Sequence, residues 1–374
     1  MYSVTGYGKM IADEVRMDAY VRAMRQAIKP GSVVIDLGSG PGVFALLAVE
    51  MGARRVFAIE PDNVIQVGRE AAREHGVSDR IEFIQDFSTK VSLPEQADVI
   101  VSDLRGVLPW HGQHIPSIID ARSRLLATDG ILIPKRDSVW AAAVEVSEQY
   151  DGIVKPWSSN GVTLNAGRKL AVNLWSKIRV KPENLLSQPI CWHELDYYRV
   201  NDVNVCEQLS LTFLRGGIAH GLAIWFDTEL FGGVGFSNAP GGEKVIYGNA
   251  FFPFKEPVEV ATGDRIDVRL EARLIGEDYV WRWDTTVCET KISFKQSTLF
   301  GAPFSPEQLR KRASSYVPTL NDDGAIARFV LSQIDGGNSI EQIANKVAKE
   351  FPQRSLDENA AMNLVAEISE KYSE

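Results

Sequence analysis

The stretch Val34-Ile-Asp-Leu-Gly-Ser-Gly-Pro-Gly42 constrains this chain more than any other. It joins the apolar run Val33-Val34-Ile35 to an apolar segment over 43–51 that is long enough for a helix. A glycine-rich turn between a strand and a helix lets backbone amides approach a ligand closely, with the helix N-terminus behind them. That arrangement demands a strand–turn–helix unit, and hence a sheet that receives the strand.

The sheet is supplied by what surrounds it. A helix is expected over 9–29, where Met10, Ile11, Val15, Met17, Ala19, Tyr20 and Ala23 recur at three- and four-residue spacing before Pro30-Gly31 stops it. Strands are expected over 55–59, 81–84, 98–102 and 130–134, with helices over 63–75 and 115–126. Strands alternating with helices imply a parallel sheet with right-handed crossovers.

The turn itself reads as a nucleotide site. A dinucleotide fingerprint runs Gly-x-Gly-x-x-Gly, and its third glycine position is Val43 here. Asp36 ends the first strand two residues before Gly38. A carboxylate there repels a pyrophosphate and suits an ammonium group. Glu60 ends the second strand, about 20 residues on, where an acid that holds ribose hydroxyls is expected. Asp86, after the third strand, is placed to accept from an adenine amine. Together these point to S-adenosylmethionine, with a dinucleotide and a plain tight turn flanked by surface acids as the alternatives.

Beyond about residue 137 the pattern changes. Segments 138–146, 218–226, 258–260, 266–270 and 280–287 are rich in β-branched and aromatic residues between Gly, Pro and Asn, which reads as an antiparallel domain. Residues 148–190 read as irregular and polar, an arm or a functional loop. Helical spacing returns over 322–334, 339–350 and 357–372, with Ser339 and Gln342 forming a candidate capping box.

Composition excludes some functions. The net charge is −9 and the pI about 5.3, which argues against nucleic acid or a membrane surface as partner. Three scattered cysteines, Cys191, Cys206 and Cys288, suggest a reduced, cytoplasmic chain without a disulfide framework. The five histidines are scattered, so no metal site is expected. The first residues lack a signal-peptide pattern, and no apolar run approaches the ~20 residues of a membrane span.

Met10-Ile-Ala-Asp-Glu-Val-Arg-Met-Asp-Ala-Tyr20 resembles the helix that precedes the core of protein arginine methyltransferases, matching Met-x-x-Asp-x-Val-Arg-x-x-x-Tyr. Asp36-Leu-Gly-Ser-Gly40, Gly52-Ala-Arg-Arg-Val56 with Glu60, and Asp129-Gly130 to Pro134 continue the resemblance, and Gly235-Phe-Ser237 and Thr262-Gly263-Asp264 extend it. It covers roughly residues 2–290. The resemblance implies an α/β, Rossmann-like class I methyltransferase core over 1–137. An antiparallel β-barrel-like domain would follow over 138–298, with a dimerisation arm near 148–190; beyond the resemblance, helical spacing marks a small C-terminal helical domain over 299–374. The resemblance implies a homodimer through the arm. Arg16 would then meet the cofactor's carboxylate and Met10 would lie near its sulfonium. Apart from the resemblance, Gly38, Ser39 and Gly40 form the cofactor turn, and Tyr7 reads either as closing over the cofactor or as simple packing.

The chain departs from that family where the acceptor would bind. Family members hold a substrate guanidinium between two glutamates of one loop. Here the loop reads Ser102-Asp-Leu-Arg-Gly-Val-Leu-Pro-Trp-His-Gly-Gln-His114, with Asp103 at the first position and Gly112 at the second. Arg105 adds a cation, and the family's Thr-His-Trp element aligns with Val245-Ile246-Tyr247. Asp103 is the best-placed residue to contact cofactor or acceptor; His111 and His114 read either as a base or as a polar loop residue or helix-start cap. Trp110 is expected to line a pocket, whereas Phe251, Phe252, Phe254, Trp281 and Trp283 read as core.

The leading expectation is thus a methyltransferase acting on a nitrogen or oxygen of a small molecule or peptide. A non-catalytic S-adenosylmethionine-binding scaffold and a true arginine methyltransferase with a rebuilt clamp are the alternatives. The region 320–374, with Phe329-Val-Leu-Ser-Gln-Ile-Asp-Gly336 and Ser339-Ile-Glu-Gln-Ile-Ala344, resembles the small leader-peptide-binding domains related to PqqD; a generic helical bundle is its alternative.

Overall fold

The computed structural model describes residues 3–373; Met1 and Tyr2, part of the stretch searched for a signal sequence, lie outside them. The chain divides into one compact unit ending at Pro303 and a second beginning at Phe304.

The first unit opens with α1 (Val4–Ile11) and α2 (Glu14–Ala27). The single helix expected over 9–29 is thus broken, because Asp13 is the N-cap of a new helix and its side chain accepts from the Arg16 amide. Then come β1 (Val33–Leu37), α3 (Val43–Glu50), β2 (Arg55–Ile59), α4 (Ile65–Glu74), β3 (Ile81–Ile84), β4 (Ala97–Ser102), α5 (His114–Arg124) and β5 (Leu126–Ile133). The strands pair in parallel in the order β3-β2-β1-β4-β5. β1 is buried along its whole length and β2 nearly so, which is why both read as continuous apolar runs. The order reverses between β1 and β4, and ligands of open α/β sheets bind at such a switch point, beyond the strands' carboxyl ends.

The antiparallel part follows: β6 (Arg136–Val144), α6 (Ser147–Val154), β7 (Ser158–Ser159), β8 (Val162–Thr163), α7 (Asn165–Ala171), β9 (Ser176–Ile178), β10 (Ile190–Asp196), β11 (Val205–Thr212), β12 (Gly217–Phe231), β13 (Val234–Ser237), β14 (Asn249–Val260), β15 (Arg265–Ile275), β16 (Asp278–Val287) and β17 (Ser293–Ser297). These strands form a six-stranded sheet, β10-β6-β12-β14-β9 with β13 on β12, and a four-stranded sheet, β11-β15-β16-β17. The domain is antiparallel as expected, and among the described residues its strands make these two sheets and a separate β7–β8 pair, without a closed barrel. Strand β16 alternates strictly, burying Tyr279, Trp281, Trp283, Thr285 and Val287. Trp281 and Trp283 close on Phe252 at 5.2 and 5.1 Å between ring centroids, so this aromatic cluster is core. The segment 148–190 is not irregular throughout, since α6, the β7–β8 pair, α7 and β9 lie in it.

The second unit holds α8 (Pro306–Lys311), which is exposed throughout, and α9 (Asp322–Leu331), α10 (Ile340–Glu350) and α11 (Glu358–Tyr372) around a core that includes Ile326, Val330, Ile343, Val347 and Val365. The Ser339–Gln342 capping box forms at the start of α10, with both reciprocal bonds present. Among the described residues no helix is long and apolar enough to cross a membrane.

Candidate active site at the carboxyl ends of β1 and β4

Asp36 stands at the end of β1, almost fully buried. Its Oδ2 accepts from the Ala45 amide in the first turn of α3 at 2.9 Å. Its Oδ1 is buried without a hydrogen-bond partner. Burial pushes its carboxyl up to about 7; the Ala45 amide opposes this and the nearby Glu60 charge adds to it. Glu60 ends β2 and braces the turn, its Oε2 accepting from the Gly40 amide and its Oε1 from the Asp62 amide, both at 3.0 Å. Burial likewise raises the Glu60 pKa.

Gly40 has φ +52°, and a Cβ there would come within 2.7 Å of a Tyr7 ring carbon. The Tyr7 ring of α1 therefore lies over the turn, and the Leu104 side chain abuts Gly38 in the same way. Asp86 is half-buried beyond β3, with its Oδ1 accepting from the Phe87 amide at 2.7 Å.

Beside the turn, Arg16 and Asp103 meet. Arg16 Nε donates to Asp103 Oδ2 at 2.6 Å, and its Nη2 lies 2.5 Å from the same oxygen. Its Nη1 donates to the Met10 carbonyl at 3.2 Å, which places the end of α1 against α2. The guanidinium packs near the rings of Tyr20 and Phe44, at 5.2 and 5.4 Å. Tyr247 donates its hydroxyl to Asp103 Oδ2 at 2.6 Å. Burial alone would raise the Asp103 pKa, but Arg16 and Arg105 outweigh it and hold the carboxyl below its ordinary value. Asp103 is therefore a fixed anion rather than a proton shuttle.

Asp13 explains the spacing of the Asp-x-x-Arg motif. Its Oδ1 caps α2 at the Arg16 amide, and its Oδ2 accepts from the Ile246 amide at 2.6 Å. One carboxylate thus starts the helix that carries Arg16 and fixes the loop that carries Tyr247.

The loop after β4 turns inward through Arg105, which is fully buried. Its Nε lies 3.3 Å from Asp103 Oδ1, its Nη1 donates to Asp137 Oδ1 (2.6 Å) and Thr228 Oγ1 (2.8 Å), and its Nη2 donates to the Tyr20 hydroxyl (2.9 Å). Tyr197 completes Asp137 with a 2.6 Å bond to Oδ2. This network joins the parallel core to β6 and β12.

The rest of the loop decides between the readings of His114 and corrects the pocket expected at Trp110. His114 is not an available base: it is the first residue of α5, its Nδ1 is 2.9 Å from the Pro109 carbonyl, and burial lowers its pKa to about 4. Trp110 does not line a pocket; it stacks on Trp192 at 5.2 Å and meets Trp281 edge-on at 6.0 Å, with 3% of its surface exposed. Gly112 carries no side chain toward Asp103 and instead donates its amide to Asp278 at 3.3 Å, fastening the loop to the β15–β16 turn. His111 is exposed, with its ring against Gly106.

The residues present fit S-adenosylmethionine. Asp36 Oδ1, Ser39 Oγ and Ser102 Oγ are buried and unpartnered, and they belong to the end of β1, the glycine turn and the end of β4. Buried polar atoms without partners are rare in folded proteins, and a polar ligand supplies what these lack. Asp13 and Tyr247 enter the sequence reading only as motif positions without a role, and Ser102 and Asp137 are given none. Asp13 had a signal in its motif spacing to Arg16, and Ser102 in its place at the end of the switch-point strand.

The fold and this site define a class I methyltransferase. Residues 135–283 match the family model described as the arginine methyltransferase oligomerization subdomain. Residues 18–154 match that of the ribosomal protein L11 methyltransferase PrmA. Among curated proteins, the chain is 27% identical over 283 residues to protein arginine N-methyltransferase 6 of Xenopus tropicalis, covering 69% of this chain and 80% of the relative. It is 29% identical over 306 residues to protein arginine N-methyltransferase PRMT10 of Oryza sativa subsp. japonica, covering 70% and 78%. In fold it is similar to a chain of the Trypanosoma brucei PRMT1 enzyme–prozyme complex with AdoHcy, at TM-score 0.71 and 18% identity over 78% of this chain and 96% of that one. Arabidopsis thaliana protein arginine methyltransferase 10 gives TM-score 0.68 and 21% identity over 79% and 97%. The chain is a protein arginine methyltransferase-like class I S-adenosylmethionine methyltransferase.

Proposed function

We propose that this protein transfers a methyl group from S-adenosylmethionine to a nitrogen or oxygen of a small molecule or peptide. The observation that carries the reading is the buried, unpartnered Asp36 Oδ1 beside the glycine turn. Bound there, S-adenosylmethionine would supply a methyl group that the acceptor's lone pair takes as the sulfonium leaves as a neutral thioether, any proton on the acceptor atom passing to solvent. Asp36 receives the ammonium group, Glu60 the ribose hydroxyls and Asp86 the adenine amine, while Arg16 and Met10 bound the methionine end. Tyr7, lying over Gly40, keeps water from the reacting centre. The chain's contribution is positioning and desolvation.

A cleft of about 380 Å³ lies between α2 and β13, bordered by Glu14, Asp18, Arg22, Phe236 and Glu243, and in this reading it is the acceptor's approach. Calorimetry with S-adenosylmethionine tests the cofactor reading, and no heat at high micromolar cofactor would sink it. Labelled cofactor incubated with a metabolite and peptide extract tests transfer. A scaffold would bind cofactor and label nothing.

Arginine methylation is the second reading, favoured by the names of the relatives. Gly112 speaks against it, because the second acid of the loop is missing. Label recovered on arginine of a protein substrate would establish it. A homodimer through the arm goes with either reading. Val162 and Leu164 there are more than half exposed, and the matched subdomain is named for oligomerisation. Light scattering at a monomer mass would exclude it.

A further inference from the structure

The guanidinium of Arg105 occupies the inner end of the site in the way a bound cationic ligand would. Its Nε faces Asp103 Oδ1 at 3.3 Å, and its carbon stands 5.0 Å from the Phe226 ring and 5.6 Å from the Phe236 ring. Phe236 also borders the cleft from the α2 side. Both carboxylates of the node are taken by the chain itself. Asp103 Oδ2 receives Arg16 and Tyr247, its Oδ1 receives Arg105, and Asp137 receives Arg105 and Tyr197. Two buried guanidiniums, Arg16 and Arg105, therefore face two buried carboxylates, Asp103 and Asp137, and the node has no net charge.

We infer that Arg105 is a specificity-determining residue, an internal guanidinium that reserves the site for acceptors whose nucleophile is uncharged, such as a hydroxyl or a heteroaromatic nitrogen. The inference rests on the methyltransferase reading above. A second buried cation would meet two fixed positive charges with no free carboxylate, and an uncompensated buried charge is strongly unfavourable. It would also find the faces of Phe226 and Phe236 already used, which removes the cation–π attraction a guanidinium otherwise gains. A neutral nucleophile incurs neither cost and needs no acid to hold it.

The test compares wild type with Arg105→Gln, both loaded with S-adenosylhomocysteine, using ethylguanidinium as the probe and ligand-observed NMR as the readout. Thermal melts select folded preparations. The expected result is no ethylguanidinium binding to wild type and at least a tenfold gain in the variant, lost again in Arg105→Gln/Asp103→Asn. Equal binding to wild type and variant, or a folded variant with no gain, overturns the inference. Should the variant not fold, wild type alone decides through labelled cofactor. Label on free or peptide arginine overturns the inference, and label confined to acceptors without a cationic nucleophile supports it. Calorimetry on the same wild-type preparation separates the two levels. Absent cofactor binding removes the methyltransferase reading, whereas cofactor binding together with ethylguanidinium binding removes only the role of Arg105.

Discussion

Asp13 holds Ile246: its Oδ2 accepts from the Ile246 amide at 2.6 Å while its Oδ1 caps α2 at the Arg16 amide. The two bonds couple a helix start to a loop 233 residues away in sequence. Asp13→Ala removes both, and should destabilise the protein by about 1–3 kcal/mol, the cost of a lost cap and an unsatisfied amide. Urea denaturation measures it, and a variant as stable as wild type would show that neither bond matters.

The Arg105–Asp137 pair should be costly to break from one side. Asp137→Ala leaves a buried guanidinium without its carboxylate, and should cost roughly 3–5 kcal/mol. Replacing both partners with apolar residues should cost less than the two single changes summed. A double-mutant cycle in denaturant reads this, and strict additivity would mean that the pair does not act as a unit.

Asp36 should make cofactor affinity depend on pH. Its pKa stands near 7 because burial disfavours the charge. An acid whose folded pKa lies above its unfolded value binds protons more tightly when folded. The free protein therefore loses stability as pH rises from the ordinary carboxylate range toward 7. An ammonium ligand prefers the ionised form, so S-adenosylmethionine should bind more tightly as pH rises to about 7, by at most about tenfold per unit. Calorimetry across this range checks the slope, and Asp36→Asn should flatten it.

Glu60→Gln should weaken cofactor binding by about 1–2 kcal/mol, since charge-assisted hydrogen bonds exceed neutral ones by that order. The amide can still accept once from the turn, so the melting temperature should change little. Wild-type affinity in the variant would remove Glu60 from the site.

Ser339→Ala should loosen α10 by about 1 kcal/mol through loss of its capping box. Hydrogen exchange of the full-length protein should show faster exchange in the first turn of α10, with amides of β1 and β4 unchanged. Uniform protection in α10 would mean that packing of Ile343 and Val347 alone sets its stability.

The elements that were legible in the sequence are those set by short-range rules. Strands β1, β2 and β3 end within two residues of their expected limits, because short runs rich in β-branched and aromatic residues leave little choice. The capping box at Ser339 was legible for the same reason, since both partners lie within one turn. Asp36 and Glu60 could be picked out because strand ends in a parallel sheet converge on one edge. The break between α1 and α2 went unread, because Asp13 interrupts a pattern that periodicity alone carries through.

The sequence by itself determined the glycine turn, the alternation that builds a parallel sheet, and the acids that face it. Only the tertiary structure decided what the loop after β4 does. In the sequence Arg105, His111 and His114 look equally free to act, and Asp137 is a polar residue at the edge of a strand. In the fold, Arg105 is drawn to Asp103 and Asp137, His114 is buried at the start of α5, and His111 is left outside. The reason is electrostatic: a buried guanidinium requires carboxylates on more than one side, and those carboxylates come from distant segments that only folding brings together.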